Sequence, residues 1–234
     1  VRSPKTLRFT LNEHDPSDQY ARLYSDDVVN TINTLNLPRY GLGNYIAPHP
    51  ESPPTSTEQR QIQDLSRAGK RLMGFCRTNL FKRLESSGVA FLLSVERHIL
   101  RNHIYLHAME NNLPLPIGAQ DAELLDPSFY DEDRDTGQLE LLGGGDDDED
   151  GNGVESQNAF RFLQTEAEFQ KRAANVYFAY QGRLKRRFKW LRSDLFIPNL
   201  KTHLKKDAQN LLKLLQNNGE WKPAQDAKLQ VLEK

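Results

Sequence analysis

The sequence predicts a mainly α protein: a helical bundle or protrusion with long helices, a minor N-terminal strand and a disordered acidic insertion. Three observations carry this. Apolar residues recur at helical spacing in several segments, strand-like composition is confined to one short stretch, and charge is segregated along the 234 residues. The formal net charge of −1 hides that segregation. Between Asp121 and Glu155, 14 acids face the single base Arg134, a local net of −13, so the rest of the chain carries +12. Hydrophobic residues make up 37% and charged ones 27%, and mean hydropathy is −0.71. That is polar for one globule and points to a part that never packs.

Five regions follow in order. Residues 1–40 open with Lys5–Leu11, whose β-formers predict one short strand. Asp15-Pro16-Ser17 then predicts a turn and N-cap, leading into a helix with Tyr20, Leu23, Tyr24 and Val28 on one face and ending before Pro38. Residues 41–54 form a Pro/Gly linker, because glycine and proline forbid regular structure. Residues 55–116 hold a helical pair. Thr55 or Ser56, with Glu58 or Gln59, predicts a capping box for the first helix, which is expected to run towards Glu85 with a break at Gly69 or Gly74. After Ser86-Ser87-Gly88, Leu92, Val95, Ile99 and Leu106 mark one face of a second helix reaching about Asn111.

Residues 117–157 are the acidic low-complexity insertion. Self-repelling carboxylates with few apolar residues cannot offset an ordering cost of about 1–2 kcal/mol per residue, so disorder is expected. Residues 158–234 are a basic helical segment. A long helix is expected over Asn158–Ser193, with Tyr177, Tyr180, Leu184, Phe188 and Leu191 as its buried stripe and Lys185, Lys189 and Arg192 as one charged ridge. A further helix over Leu200–Asn217 ends at Asn217-Asn218-Gly219, and another begins at Ala224.

Several function classes recede. No run of about 18 apolar residues exists for a spanning helix, and the start has no signal-peptide core. The single Cys76 excludes an internal disulfide framework, and a cytoplasmic setting is expected. The chain lacks an initiating Met and its first ten residues read as the middle of a sequence, so an excised fragment is expected. Phosphate-loop, nucleophile-elbow, H-E-x-x-H and dinucleotide fingerprints are absent, and no catalytic residue, metal site or cofactor is assigned. His98, His103 and His107 share helical spacing without a visible supporting shell. Asp146–Gly151 opens like a calcium loop, but Gln157 stands where the bidentate Glu belongs.

The basic cluster is more informative. Arg183, Lys185, Arg186, Arg187, Lys189 and Arg192 place six cations within ten residues, and residues 156–216 carry 13 bases against 4 acids. Such density suits a nucleic-acid backbone. A solvated helical face and docking to an acidic protein surface are the competing readings.

One segment is distinctive. Leu80-Phe81-Lys82-Arg83-Leu84-Glu85-Ser86-Ser87, followed by Ala90-Phe91, resembles the K-R-L-E-S-S-x-x-A-F stretch of prokaryotic superfamily-two helicase-like ATPases of the Swi/Snf and RapA type. There it lies in the helical region between two RecA-like motor lobes. Lys5–Tyr24 is similar to the segment that follows the first lobe, and Asp226-Ala227-Lys228-Leu229 to the D-x-K helix leading into the second. Residues 112–157 have no such counterpart.

The resemblance implies an accessory region between the lobes of an ATP-dependent helicase or translocase, with nucleic-acid contacts and lobe coupling instead of catalysis. ATP, Mg and nucleotide hydrolysis would belong to the lobes of the parent. The implied partners are DNA or RNA backbone and those lobes, with no membrane; a protein partner is open for the acidic insertion. Lys82 and Arg83 join the six clustered cations as candidate nucleic-acid-binding residues, although a simple helix–turn–helix corner explains all six residues of KRLESS and is the favoured reading of that segment. An interaction or autoregulatory module, in which the acidic insertion and basic helix recruit a partner or each other, is the alternative.

Overall fold

In the computed structural model, the described residues are 11, 12, 15, 17–118, 160–182 and 185–232, with the side chains of 67–71, 160, 161 and 232 outside the description. The strand expected at Lys5–Leu11 lies outside them except for Leu11, and so does the acidic insertion beyond Gly118. The protein is mainly helical, as its periodicity predicts. No helix among the described residues is long and apolar enough to cross a membrane.

Two short helices come first, α1 (Gln19–Leu23) and α2 (Asp26–Thr34). They replace the single helix expected there. Asp18, one residue beyond the predicted cap, accepts from Ala21 N–H at 3.0 Å, and the chain bends at Tyr24 and Ser25 before α2 begins. The expected linker contains a 3-10 turn, Leu42–Tyr45. It is tied down by an isolated bridge from Ile46 to Phe196.

Helix α3 (Ser56–Ser86) begins with the predicted capping box between Thr55 and Glu58 and runs without a break through Gly69 and Gly74. Helix α4 (Gly88–Glu110) starts from Ser87, whose hydroxyl accepts from Ala90 N–H. Phe91, Leu92, Val95 and Ile99 are fully buried on it. Helix α4 is the centre of the bundle, with α3, α5 (Glu166–Gln181) and α6 (Asn199–Asn218) packed around it. A last short helix, α7 (Ala227–Leu232), is capped by Asp226, whose Oδ1 accepts from Lys228 and Leu229 N–H.

Direction can be read from paired contacts. Asn102 on α4 donates to Leu204 O on α6. Leu163, before α5, donates to Glu96 on α4, whereas Tyr177 near the end of α5 donates to Pro114 O beyond α4. Helices α4 and α5 are therefore parallel neighbours, and α6 runs back against them. A parallel pair needs a long return connection. Residues 111–165, with the acidic stretch inside them, are that connection.

Two small antiparallel pairings complete the fold. Strand β1 (Leu115–Ile117) pairs with β3 (Lys189–Leu191), and β2 (Phe160–Arg161) pairs with β4 (Glu220–Trp221). Ile117, placed by sequence in the insertion, is thus the last residue of a strand.

The two ends of the bundle differ. At one end Gly88, Tyr20 and Trp221 meet: the Tyr20 ring stands edge-on to Trp221 at 5.2 Å, and Gly88 N–H points to the Tyr20 hydroxyl. The other end, beyond Glu110, carries β1 and β3. At 1.5 Å per residue the 23 residues of α4 separate these ends by about 33 Å.

Candidate nucleic-acid interface

The sequence expected one helix through Asn158–Ser193. Helix α5 begins only at Glu166, with a capping box between Thr165 and Glu168, and stops at Gln181. The T-x-x-E pattern at Thr165 is the local signal that marks this start. Past Gly182, Lys185–Arg187 form a 3-10 turn and Lys189–Leu191 a strand. Lys185, Lys189 and Arg192 therefore do not form a helical ridge.

An aromatic cluster determines the turn. Tyr180 and Phe188 rings lie 4.4 Å apart, and Trp190 stands edge-on to both Phe188 and Tyr177 at 6.0 Å. Trp190 Nε1–H donates to Lys185 O at 3.0 Å, so the indole pins the turn's backbone from beneath. Lys185, Arg186 and Arg187 are left exposed on its outer side, and none of the three makes an ion pair among the described residues. The aromatic residues read from sequence as a helical stripe thus form a folded pad under a cationic turn.

The remaining candidates have other work. Arg192 pairs with Glu58 through Nε at 3.1 Å and with Asp194 through Nη1 at 3.1 Å. Its Nη2 also donates to the carbonyls of Ser52 and Pro53. This guanidinium fastens the linker and the start of α3 to the strand after α5. Burial raises the Glu58 pKa, but hydrogen bonds from Thr55 and the Arg192 pairing outweigh that and leave it lowered. Lys189 reaches Asp64 at 3.7 Å. Arg183 lies outside the described residues.

Lys82 and Arg83 are at the opposite end of α4, Lys82 exposed and Arg83 half-buried. There the KRLESS segment forms a corner: Leu80 and Leu84 are buried, and Ser87 both closes α3 and caps α4. The carbonyl groups at the end of a helix lack intrahelical donors. Tyr24 hydroxyl donates to Leu84 O at 3.2 Å, and the Lys228 ammonium donates to Glu85 O. Lys228 also lies over the Tyr20 ring at 4.7 Å. Besides Arg83 in the last turn, the cation bonded to this C-terminus is Lys228, from the far end of the sequence, which local reading of KRLESS could not supply.

A half-buried polar network was not visible in the sequence. Arg39 donates to Asn102 Oδ1 at 2.9 Å and lies 3.3 Å from His98 Nδ1. Because a guanidinium only donates, His98 accepts at Nδ1 and carries its proton on Nε2, facing Cys76 Sγ at 3.7 Å. Burial, then the charges of Arg39 and Arg101, hold the imidazole well below its ordinary value. Burial also pushes the Cys76 thiol up to about 11 despite its polar neighbours. Both shifts favour the neutral thiol and imidazole over a thiolate–imidazolium pair. The adjoining cleft, lined by Leu37, Tyr40, Asp207 and Leu211 among others, is too narrow to admit a water molecule.

No known protein family, characterised protein or solved structure matches this chain. His103 stacks on Phe169 at 6.0 Å and His107 tilts against Tyr177 at 5.3 Å, so the three histidines serve different neighbours. Among the described residues, no three His, Cys, Asp or Glu side chains are grouped to hold a metal ion.

Proposed function

We propose that this chain is an accessory helical region between the motor lobes of an ATP-dependent helicase or translocase, supplying nucleic-acid backbone contact and lobe coupling. One observation carries the reading: the segments leading into and out of the bundle meet at the KRLESS corner, at the opposite end of α4 from the exposed basic turn. Gln19 and Lys222 exchange two hydrogen bonds, Nε2 to Lys222 O at 3.0 Å and Lys222 N to Oε1 at 2.6 Å, across 203 residues. Such an arrangement suits a protrusion rooted between two bodies, with its cations carried at the tip. The three regions that prompted the helicase resemblance also come together here, since Asp226 and Lys228 meet Tyr20, Tyr24 and Glu85. In this reading nucleotide, Mg and hydrolysis belong to the lobes, the tip tracks DNA or RNA phosphates, and the setting is cytoplasmic.

The test is fluorescence binding of the chain to DNA at low and moderate salt. Reversing Lys185, Arg186 and Arg187 to Glu should weaken binding and reduce its salt dependence. Absent binding, or binding indifferent to salt and to those changes, removes the phosphate role.

A specific observation favours a second reading, autoregulation. Ile117, where the chain leaves towards the acidic stretch, is the register partner of Lys189 in the strand that follows the basic turn. The last described residues before the acidic stretch, Ile117 and Gly118, thus lie beside the strand that follows the cations. Deleting 121–157 should tighten nucleic-acid binding under autoregulation; loss of a captured protein would instead favour partner recruitment.

A further inference from the structure

Phe178 is 78% exposed, beyond any other large hydrophobic side chain among the described residues. It lies on α5 between the buried Tyr177 and half-buried Ala179, and nothing in the bundle covers its ring. Its surroundings are polar and cationic. Lys171, Asn175, Phe178 and Gly182 fall at i, i+4, i+7 and i+11, one face of a helix, and all four are exposed. The face continues into the basic turn through backbone: Gly182 N–H donates to Phe178 O at 3.1 Å, and Lys185 N–H to Gly182 O at 3.2 Å. From Lys171 to Arg187 the sequence contains no acid.

An apolar docking face would be expected to group several aliphatic side chains. This one sets a single aromatic ring among cations. That combination matches a strand with accessible bases, where phosphates meet the cations and a base stacks on the ring. A duplex offers the same phosphates with its bases already stacked against one another. Phosphate contacts alone do not distinguish the two, whereas the aromatic face does.

We propose that the Lys171–Phe178 face and the Lys185–Arg187 turn form one site for single-stranded nucleic acid, with Phe178 stacking on a base. This rests on the phosphate-contact reading above and adds the substrate class to it. No base edge is read, so the site is tolerant of sequence.

The experiment measures anisotropy of a fluorescent deoxythymidine oligonucleotide and of a duplex of equal length, with the chain and its variants. The oligonucleotide should bind more tightly than the duplex, and Phe178→Ala should weaken oligonucleotide binding about tenfold while leaving the duplex unchanged. Phe178→Trp should restore it. Phe178 is exposed, so an unchanged melting temperature is expected and separates these effects from folding. Oligonucleotide binding unaltered by Phe178→Ala, or equally weakened in Phe178→Trp, overturns the stacking site. The phosphate reading fails separately, if reversing Lys185, Arg186 and Arg187 to Glu leaves both probes bound.

Discussion

Gly88 opens α4 directly against the indole of Trp221, so closely that a Cβ on Gly88 would lie 2.1 Å from Cη2 of that ring. Trp221 is 1% exposed and belongs to the segment that leaves the bundle, while Gly88 follows the KRLESS corner. Read locally, Ser86-Ser87-Gly88 is a turn signal. In the fold, Gly88 is helical, and its missing side chain is what lets the two segments touch.

Gly88→Ala therefore tests packing against propensity. Alanine in a helix gains about 1 kcal/mol over glycine, yet overpacking a fixed indole costs typically 1–3 kcal/mol and more when the clash is backbone-borne. We expect net destabilisation of about 2 kcal/mol and a melting temperature lower by several degrees. A stabilised Gly88→Ala protein would show that Trp221 moves aside freely.

Asp207 holds a strained piece of backbone. It is 1% exposed, and its carboxylate accepts from Asn36 N at 2.9 Å, Asn36 Nδ2 at 2.8 Å and Leu37 N at 2.7 Å. Leu37 has φ of 49°, a left-handed conformation costing about 1–2 kcal/mol for a side chain of this kind. The three hydrogen bonds offset that cost. Asp207→Ala leaves the donors buried without an acceptor, and chemical denaturation should show a loss of about 3 kcal/mol. A loss under 1 kcal/mol would mean the α2 end rearranges without it.

The cations of the basic cluster should separate into two groups in one pair of measurements. Arg192→Ala removes the pairing to Glu58 and the contacts to Ser52 and Pro53, so the melting temperature falls while nucleic-acid affinity changes little. Reversing Lys185, Arg186 and Arg187 leaves the melting temperature in place. Where phosphates are bound, it lowers the slope of log K against log salt by about 3. Equal behaviour of the two variants in both measurements contradicts this division.

Acid stability should respond to His98. Burial, then Arg39 and Arg101, keep the folded imidazole neutral well below its ordinary value, and burial lowers His103 as well despite opposing charges on Glu166 and Glu110. The unfolded chain takes up these protons below about pH 6.5, so the contribution is complete above that value and is lost as pH falls through it. Each proton corresponds to up to about 1.4 kcal/mol per pH unit. His98→Gln should flatten the dependence of unfolding free energy between roughly pH 6.5 and 5 by up to one proton. An unchanged slope would place the proton uptake on other groups.

How far the sequence carried depended on the range of the interaction. The Thr55–Glu58 box and the burial of Leu92, Val95 and Ile99 are local or periodic, and all are found where the spacing puts them. The break after Gln181 is not visible in the sequence because Tyr177, Tyr180 and Phe188 fit helical spacing as well as they fit an aromatic pad. What decides between the two is Leu115–Ile117, which pairs with Lys189–Leu191 across more than 70 residues.

The sequence by itself determined a mainly helical chain, most of its helix boundaries, and the separation of charge into an acidic stretch and a basic remainder. Those are properties of neighbours and of period. Only tertiary structure decided which cations are available. Arg192 and Lys189 are drawn into ion pairs by carboxylates from α3, Lys185, Arg186 and Arg187 are pushed outward by the aromatic rings beneath them, and Lys228 is carried to the end of α3. A charge's partners are fixed by what folding brings within a few ångströms of it, and those residues are far away in sequence.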